Sequence, residues 1–235
     1  MVRRVVVGTV LAHAAGIGDR AASRMNSFRF DLTEFRERAR SGLLSAPPCT
    51  YRRSDYDLNP EMTIDPSDAP LRSAAVLVPI VLRQPELSVL LTQRTAHLRS
   101  HAGQIAFPGG RIDEGEDAVE AALRESEEEI GLDRAFIEPL GFLDGYVTGT
   151  SFKIIPLVAL VRPGFTPQPA PEEVDEVFEV PLRFLMSAEN HTRHSREWKG
   201  RTRFFYAMPY GERYIWGATA GMIRNLYDRL YAVAP

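Results

Sequence analysis

Residues 110–132 read GRIDEGEDAVEAALRESEEEIGL, and this stretch decides the fold. Alanine, leucine and glutamate dominate 117–130, all good helix formers, and Gly131 follows as a stop. At 100° per residue, with Glu125 set at 0°, Glu129 falls at about 40° and Glu128 at about −60°. The three carboxylates share one helical face, whereas Glu127, at about 200°, points away from them. Val119, Ala122, Leu123, Ser126 and Ile130 gather between about 60° and 160°, so a stripe facing the core runs beside the acidic trio. Like charges three and four residues apart oppose one another on a helix, and three together invite a compensating cation. Oxygen-only donors select hard divalent ions, Mg²⁺ or Mn²⁺. Taken alone, a glutamate-rich helix reads more readily as a solvated acidic face.

The surrounding chain fits a single α/β domain. Residues 31–43 carry Leu32, Phe35, Ala39 and Leu43 at near-helical spacing, with Asp31 or Thr33 as a cap. Residues 45–70 are rich in Pro, Asp and Ser and read as a long loop. Strands are expected at 74–82, 87–94, 136–144, 152–162, 174–180 and 203–209, where apolar and β-branched residues concentrate. A short helix should follow Pro181, and 216–232 reads as an amphipathic closing helix with Ala220, Ile223, Leu226, Tyr227 and Leu230 on one side. Mixed strands with two well-marked helices imply an α/β sandwich, with no internal repeat.

The flanks of the acidic helix change its reading. Five residues separate Gly110 from Glu116; seven more lead to Arg124-Glu125, then Ser126, Glu128-Glu129 and Gly131-Leu132. This arrangement resembles the Nudix box, G-x5-E-x7-R-E-U-x-E-E-x-G-U with U apolar, at every fixed letter. Only Ser126 departs, at an apolar position that concerns packing rather than ligation. The resemblance implies a Nudix fold: an α-β-α sandwich with a mixed sheet and a catalytic loop-helix-loop. It implies Mg²⁺ or Mn²⁺ held by Glu125, Glu128 and Glu129, with the Gly110 carbonyl as a further ligand. Glu116 and Arg124 would hold the loop and helix in place. Nudix enzymes hydrolyse a nucleoside diphosphate linked to another moiety, using metal to neutralise the pyrophosphate and activate water. Their base is a box glutamate or one on a distant loop; here the run Pro171 to Glu176, PEEVDE, offers Glu172, Glu173, Asp175 and Glu176, of which Glu176, near a strand start, is selected.

Residues 90–110, LLTQRTAHLRSHAGQIAFPGG, bear on the substrate. They resemble the L-L-T-x-R-[SA]-x3-R-x3-G-x3-F-P-G-G pattern of the coenzyme A pyrophosphatase branch, with Thr95 in place of Ser or Ala. The closing WGATAGMI stretch is similar to that branch as well. The implied reaction takes coenzyme A, or an acyl or oxidised form, to 3′,5′-ADP and 4′-phosphopantetheine. Arg94 and Arg99 suit bidentate phosphate contacts. Gly103 and Gly109 belong to the same pattern, and Phe107 either stacks on adenine or packs in the core. The alternatives are a Nudix pyrophosphatase for ADP-ribose or NADH, and a non-catalytic nucleotide-sensing module, which the intact box glutamates disfavour.

Composition bounds the remainder. The chain has 235 residues, 44% hydrophobic and 25% charged, with a net charge of −3. This is globular and offers no basic field for nucleic acid, so the expected partner is a small-molecule substrate, coenzyme A or acyl-coenzyme A. The lone Cys49 makes neither an internal disulfide nor a cysteine zinc site. No apolar run reaches the length of a membrane span. Residues 1–27 read as a tail ahead of a domain at 28–235. Arg3 and Arg4 before an apolar run outline a signal peptide, but Gly8 and His13 break that run and Met25 offers an alternative start. A cytoplasmic location is expected, and the resemblance leaves a homodimer open.

Overall fold

In the computed structural model, residues 28–62, 71–98, 101–198 and 200–232 are described. The expected tail, 1–27, lies outside them, and so does Arg99. A nine-stranded mixed sheet forms the centre, and its longest members are β2 (Arg72–Val81) and β8 (Phe152–Val161), paired in parallel over ten residues. Around them lie β1 (Arg53–Ser54), β3 (Ser88–Arg94), β4 (Ile105–Ala106), β5 (Gly109–Arg111), β6 (Ile137–Phe142), β7 (Tyr146–Val147) and β9 (Val174–Pro181). A separate three-stranded antiparallel sheet contains β10 (Thr192–Trp198), β11 (Arg201–Tyr210) and β12 (Arg213–Trp216).

Among the described residues four α-helices accompany the strands: α1 (Leu32–Gly42), α2 (Ala118–Ile130), α3 (Leu182–Leu185) and α4 (Ala218–Leu230). The two-residue strand period sends side chains to both faces of the sheet, and each face is apolar. Val76, Val78, Ile80, Val158 and Leu160 point to one core, shared with Phe35 and Ala39 of α1 and Ile223 and Leu226 of α4. Ala75, Leu77, Leu157 and Ala159 point to the other, covered by Ala118, Ala121, Ala122 and Ile130 of α2. The result is the expected α-β-α sandwich. Among the described residues no helix is long and apolar enough to cross a membrane.

Two of the three long helices, α1 and α2, begin at an aspartate cap. Asp31 caps α1 by accepting the Glu34 N–H at 2.9 Å, and Asp117 caps α2 by accepting from Val119 and Glu120 at 2.8 and 2.9 Å. Gly131 terminates α2 in the left-handed region, φ 66°. The closing helix starts later than expected: Trp216 belongs to β12, and α4 begins at Ala218.

Arg229 ties three elements together. It donates to the Gly42 carbonyl at 2.7 Å and to both oxygens of Asp144 at 2.9 and 2.6 Å. Asn225 donates to Asp144 at 2.9 Å and accepts its N–H at 3.1 Å. Burial acts to raise the Asp144 pKa, but the Arg229 and Asn225 hydrogen bonds and the charges of Arg229 and Arg53 outweigh it, and the net shift is downward. The ionised carboxylate therefore stabilises the fold above the ordinary aspartate pKa, and that contribution is lost as pH falls through the lower folded-state value. Asp144→Asn is expected to cost about 2 kcal/mol at neutral pH, a Tm drop of roughly 4–8 °C. Thermal melts across pH check this: the gap between wild type and variant should narrow under acid, and a gap independent of pH would contradict it.

Candidate active site

The acidic face of α2 meets a strand-loop junction. β5 pairs with β2, placing Gly109 opposite Val76 and Gly110 opposite Ala75. At Gly109 φ is +151°, and a Cβ there would lie 2.6 Å from Val76 Cα. At Gly110 a Cβ would fall within 2.5 Å of the Glu125 carboxylate. The two glycines thus serve different neighbours: the first admits a strand, the second a carboxylate.

Glu129 is the deepest of the acids, with its side chain 5% exposed. Its Oε2 accepts the Gly109 N–H at 3.1 Å and its Oε1 lies 3.4 Å from Arg94 Nη1. Burial is the chief cause of a pKa pushed up to about 7; the Gly109 hydrogen bond and Arg94 oppose the shift, and the charges of Glu125 and Glu173 add to it. Burial also raises Glu125, against the hydrogen bond and charge of Arg124. Ser126, on the core side of the same turn, is fully buried and donates its hydroxyl to the Ala122 carbonyl at 2.7 Å. A small residue that satisfies itself on the helix is accommodated in this apolar position.

Arg124 spans the patch. Its Nε and Nη2 bind both oxygens of Glu116 at 2.9 and 3.0 Å, and Nη1 reaches Glu125 at 2.9 Å and Glu128 at 3.0 Å. Nη2 also donates to the Arg111 carbonyl at 3.1 Å. Glu116 in turn accepts the Asp113 N–H at 3.1 Å. The Arg124 hydrogen bond is the main reason the Glu116 carboxyl is held below its ordinary pKa. The loop is thereby buckled to the helix by one guanidinium.

Among the described residues no three acids or imidazoles converge at metal-binding distance. The patch is instead neutralised from within by Arg124 and Arg94. The donors themselves, Glu125, Glu128, Glu129 and the Gly110 carbonyl, are all hard oxygens of the kind that suits Mg²⁺ or Mn²⁺. Burial is the main cause of both raised carboxylates, and the charges of neighbouring acids add to it. Donor chemistry and charge both fit a divalent ion.

Other expected residues divide. Arg94 lines the cleft, but its guanidinium faces Glu129 and, at 3.9 Å, Glu173. Phe107 is 3% exposed and joins the core as well as the cleft wall, so packing is its main engagement. Gly103, φ 68°, donates to the Arg94 and Thr95 carbonyls at 3.1 and 3.3 Å and shapes the turn between β3 and β4. The structure does not bring Glu176 to the patch; it forms an ion pair with Arg213 of β12. Glu173 is the acid of that run whose charge reaches Glu125 and Glu129. One residue of strand start separates the two cases: Val174 begins β9, so Glu173 stays in the loop beside Arg94 while Glu176 is carried along the strand opposite Gln93.

Beside the patch lies a cleft of about 380 Å³, which Glu125, Glu128 and Glu129 do not themselves line. Gly109, Gly110 and Arg94 line one part, and Arg196, Trp198, Arg203, Phe205 and Trp216 of the three-stranded sheet line another. Sequence reading did not find that second wall. Its one available signal was the density of Arg and Trp across 193–216.

The two glycines give separable expectations. Gly109→Ala should lower stability by about 3 kcal/mol, because backbone of β2 must move. Gly110→Ala should melt near wild type but lower turnover of a pyrophosphate substrate about tenfold or more, because its methyl evicts the Glu125 carboxylate. Paired melting and rate measurements check both, and a Gly110→Ala enzyme of full activity would contradict the placement of Glu125.

Residues 71–200 match the NUDIX domain model, more than half of the chain. The uncharacterized Nudix hydrolase NudL of Escherichia coli is 39% identical over 156 residues, covering 66% of this chain and 81% of that protein. Its counterpart in Shigella flexneri serotype 5b is 38% identical over 170 residues, covering 72% and 87%. Among solved structures, a Caenorhabditis elegans Ap4A hydrolase binary complex aligns at 22% identity over 49% of this chain and 86% of that one, with a TM-score of 0.42. The family model and the bacterial relatives, together with the strand-loop-helix that carries the acids, assign this chain to the Nudix family of pyrophosphohydrolases.

Proposed function

We propose that the chain hydrolyses the pyrophosphate of coenzyme A or its acyl derivatives, giving 3′,5′-ADP and 4′-phosphopantetheine. The observation that carries this reading is the 90–110 stretch, which resembles the coenzyme A pyrophosphatase pattern and runs through β3, β4 and β5 along the wall of the cleft. Glu125, Glu128, Glu129 and the Gly110 carbonyl would hold Mg²⁺ or Mn²⁺, which supplies charge neutralisation at the pyrophosphate and acidifies a water. Arg124 positions the acids by holding Glu116, Glu125 and Glu128 together. Arg94, already beside Glu129 and Glu173, stands where a pyrophosphate oxygen would exchange for a carboxylate.

Glu173 replaces Glu176 as the candidate base. Its carboxylate stands near the acids of α2 and beside Arg94, and 52% side-chain exposure leaves it open to a water. A positioned carboxylate base contributes about 10²–10⁴-fold. The role of such a group is to take the proton of the attacking water while the phosphoanhydride bond breaks.

Two measurements test this reading. Purified protein with Mg²⁺ should convert coenzyme A to the two products by mass, with kcat/KM at least about tenfold above that for ADP-ribose or NADH. Glu125→Gln should retain the fold and lose most turnover. Preference for ADP-ribose would move the chain to another specificity within the family. Second, Glu173→Gln should lower kcat by about 10²-fold or more, and further than Glu176→Gln does. The reverse order would return the base to Glu176.

A further inference from the structure

The wall formed by β10, β11 and β12 has no role in the reading above. Its two faces differ sharply. Met208 and Ile215 are fully buried in the core on one face. By alternation and register, Arg196 and Trp198 of β10 share the other face with Arg203 and Phe205 of β11 and Trp216 of β12. All five line the cleft that also reaches Gly109 and Gly110. The ring of Trp198 is 48% exposed, an unusual placement for so large an apolar group.

Charge on this face is unbalanced. Arg203 is held by Asp55 at 2.9 Å, and Asp55 is further fixed by the Tyr146 hydroxyl at 3.0 Å and the Gly149 N–H at 2.8 Å. That carboxylate pairs with Arg203 and not with the neighbouring Arg196. Arg196 pairs with Arg203 in the β10–β11 register and forms no ion pair among the described residues. Its Cζ lies 5.3 Å from the Trp198 ring centroid and 4.8 Å from that of Trp216. Arginine stacked on aromatic rings keeps its N–H edge free for an anion. Burial and the charge of Arg203 both lower the Arg196 pKa, as expected of a cation short of a partner. Arg94, by contrast, stands beside Glu129 and Glu173, where the scissile pyrophosphate is placed above.

We propose that this face is a recognition platform for the nucleoside end of the substrate: a planar base against Trp216 and Phe205, and a second phosphate, outside the scissile pyrophosphate, against Arg196. The ligand class is a nucleoside carrying a further phosphate monoester. Continuity with Gly109 and Gly110 makes the occupant a part of the molecule being cleaved. The platform rests on the coenzyme A reading for the identity of the substrate, but its test requires no turnover.

The chain has two tryptophans, Trp198 and Trp216, and both line this cleft, so tryptophan emission excited selectively over that of the eight tyrosines reports on it. Full-length protein in EDTA is titrated with adenosine 3′,5′-bisphosphate and with 5′-AMP. The bisphosphate should change the emission and bind at least about tenfold more tightly, as expected of one charge-assisted contact. Arg196→Gln should bring the bisphosphate to the affinity of 5′-AMP, and Arg196→Lys should recover part of the difference. Equal affinities in wild type, no change in emission, or equal weakening of both ligands in Arg196→Gln would overturn the platform. Coenzyme A cleavage without a bisphosphate preference refutes the platform alone. A bisphosphate preference without coenzyme A cleavage refutes the substrate reading and supports the platform.

Discussion

A buried glutamate in a crowd of glutamates is the constraint on which this structure turns. Glu129 sits almost out of solvent, with the charges of Glu125 and Glu173 close enough to raise its pKa. Such an arrangement is unfavourable for folding by itself, because desolvation and like-charge repulsion act in the same direction. Two arginines offset it, Arg94 from β3 and Arg124 from α2 itself. The chain therefore folds around a charge problem that it solves only partially. The unsolved part would be met by a divalent cation of the kind proposed above and, through it, by an anionic substrate.

The scaffold supplies rigidity where that problem is concentrated. β2 pairs with β8 along its full length, with β5 at one end and with β3 at the other. The junction bearing Gly109 and Gly110 is thus laid onto the most buried strand of the sheet, and the helix that follows is capped at both ends. Arg124 closes the remaining freedom by linking the loop, through Glu116 and the Arg111 carbonyl, to the acids one turn along. Rigid placement lets the repulsion persist in the folded state instead of relaxing into solvent.

Legibility in the sequence followed local physics closely. The helix at 117–130 carries its own cap, its own stop and an unbroken period, so α2 was readable to within a residue. The strands β2 and β8 are largely apolar runs because both faces of the sheet are covered, and these, with the shorter apolar segments of β3 and β9, were readable. β10 was not: TRHSREW has no apolar alternation, since Arg196 and Trp198 on one face line an open cleft and the other face is largely exposed. β12 is four residues long and runs into α4, and its RYIW merged with the helical pattern that follows. β4, β5 and β7 are two or three residues each, too short for any periodicity. The choice of Glu176 over Glu173 failed to reach the patch for a different reason. The sequence does not mark Val174 as the start of β9, which leaves Glu173 in the preceding loop and carries Glu176 along the strand to Arg213.

The two walls of the cleft were thus unequally visible, and the asymmetry has a physical origin. Groups that work on the pyrophosphate must be close together, so they fall within one strand-loop-helix and leave a spaced motif in the sequence. Groups that read the distant part of the substrate need only reach the same cavity, and here they come from a separate sheet roughly 65 to 85 residues downstream of the box. Arg196 and Trp216 face the cleft only because β10 and β12 both flank β11. Differences in specificity among chains that share the acidic helix are therefore best sought in such secondary elements, whose residues are free to vary without disturbing the charge arrangement on α2.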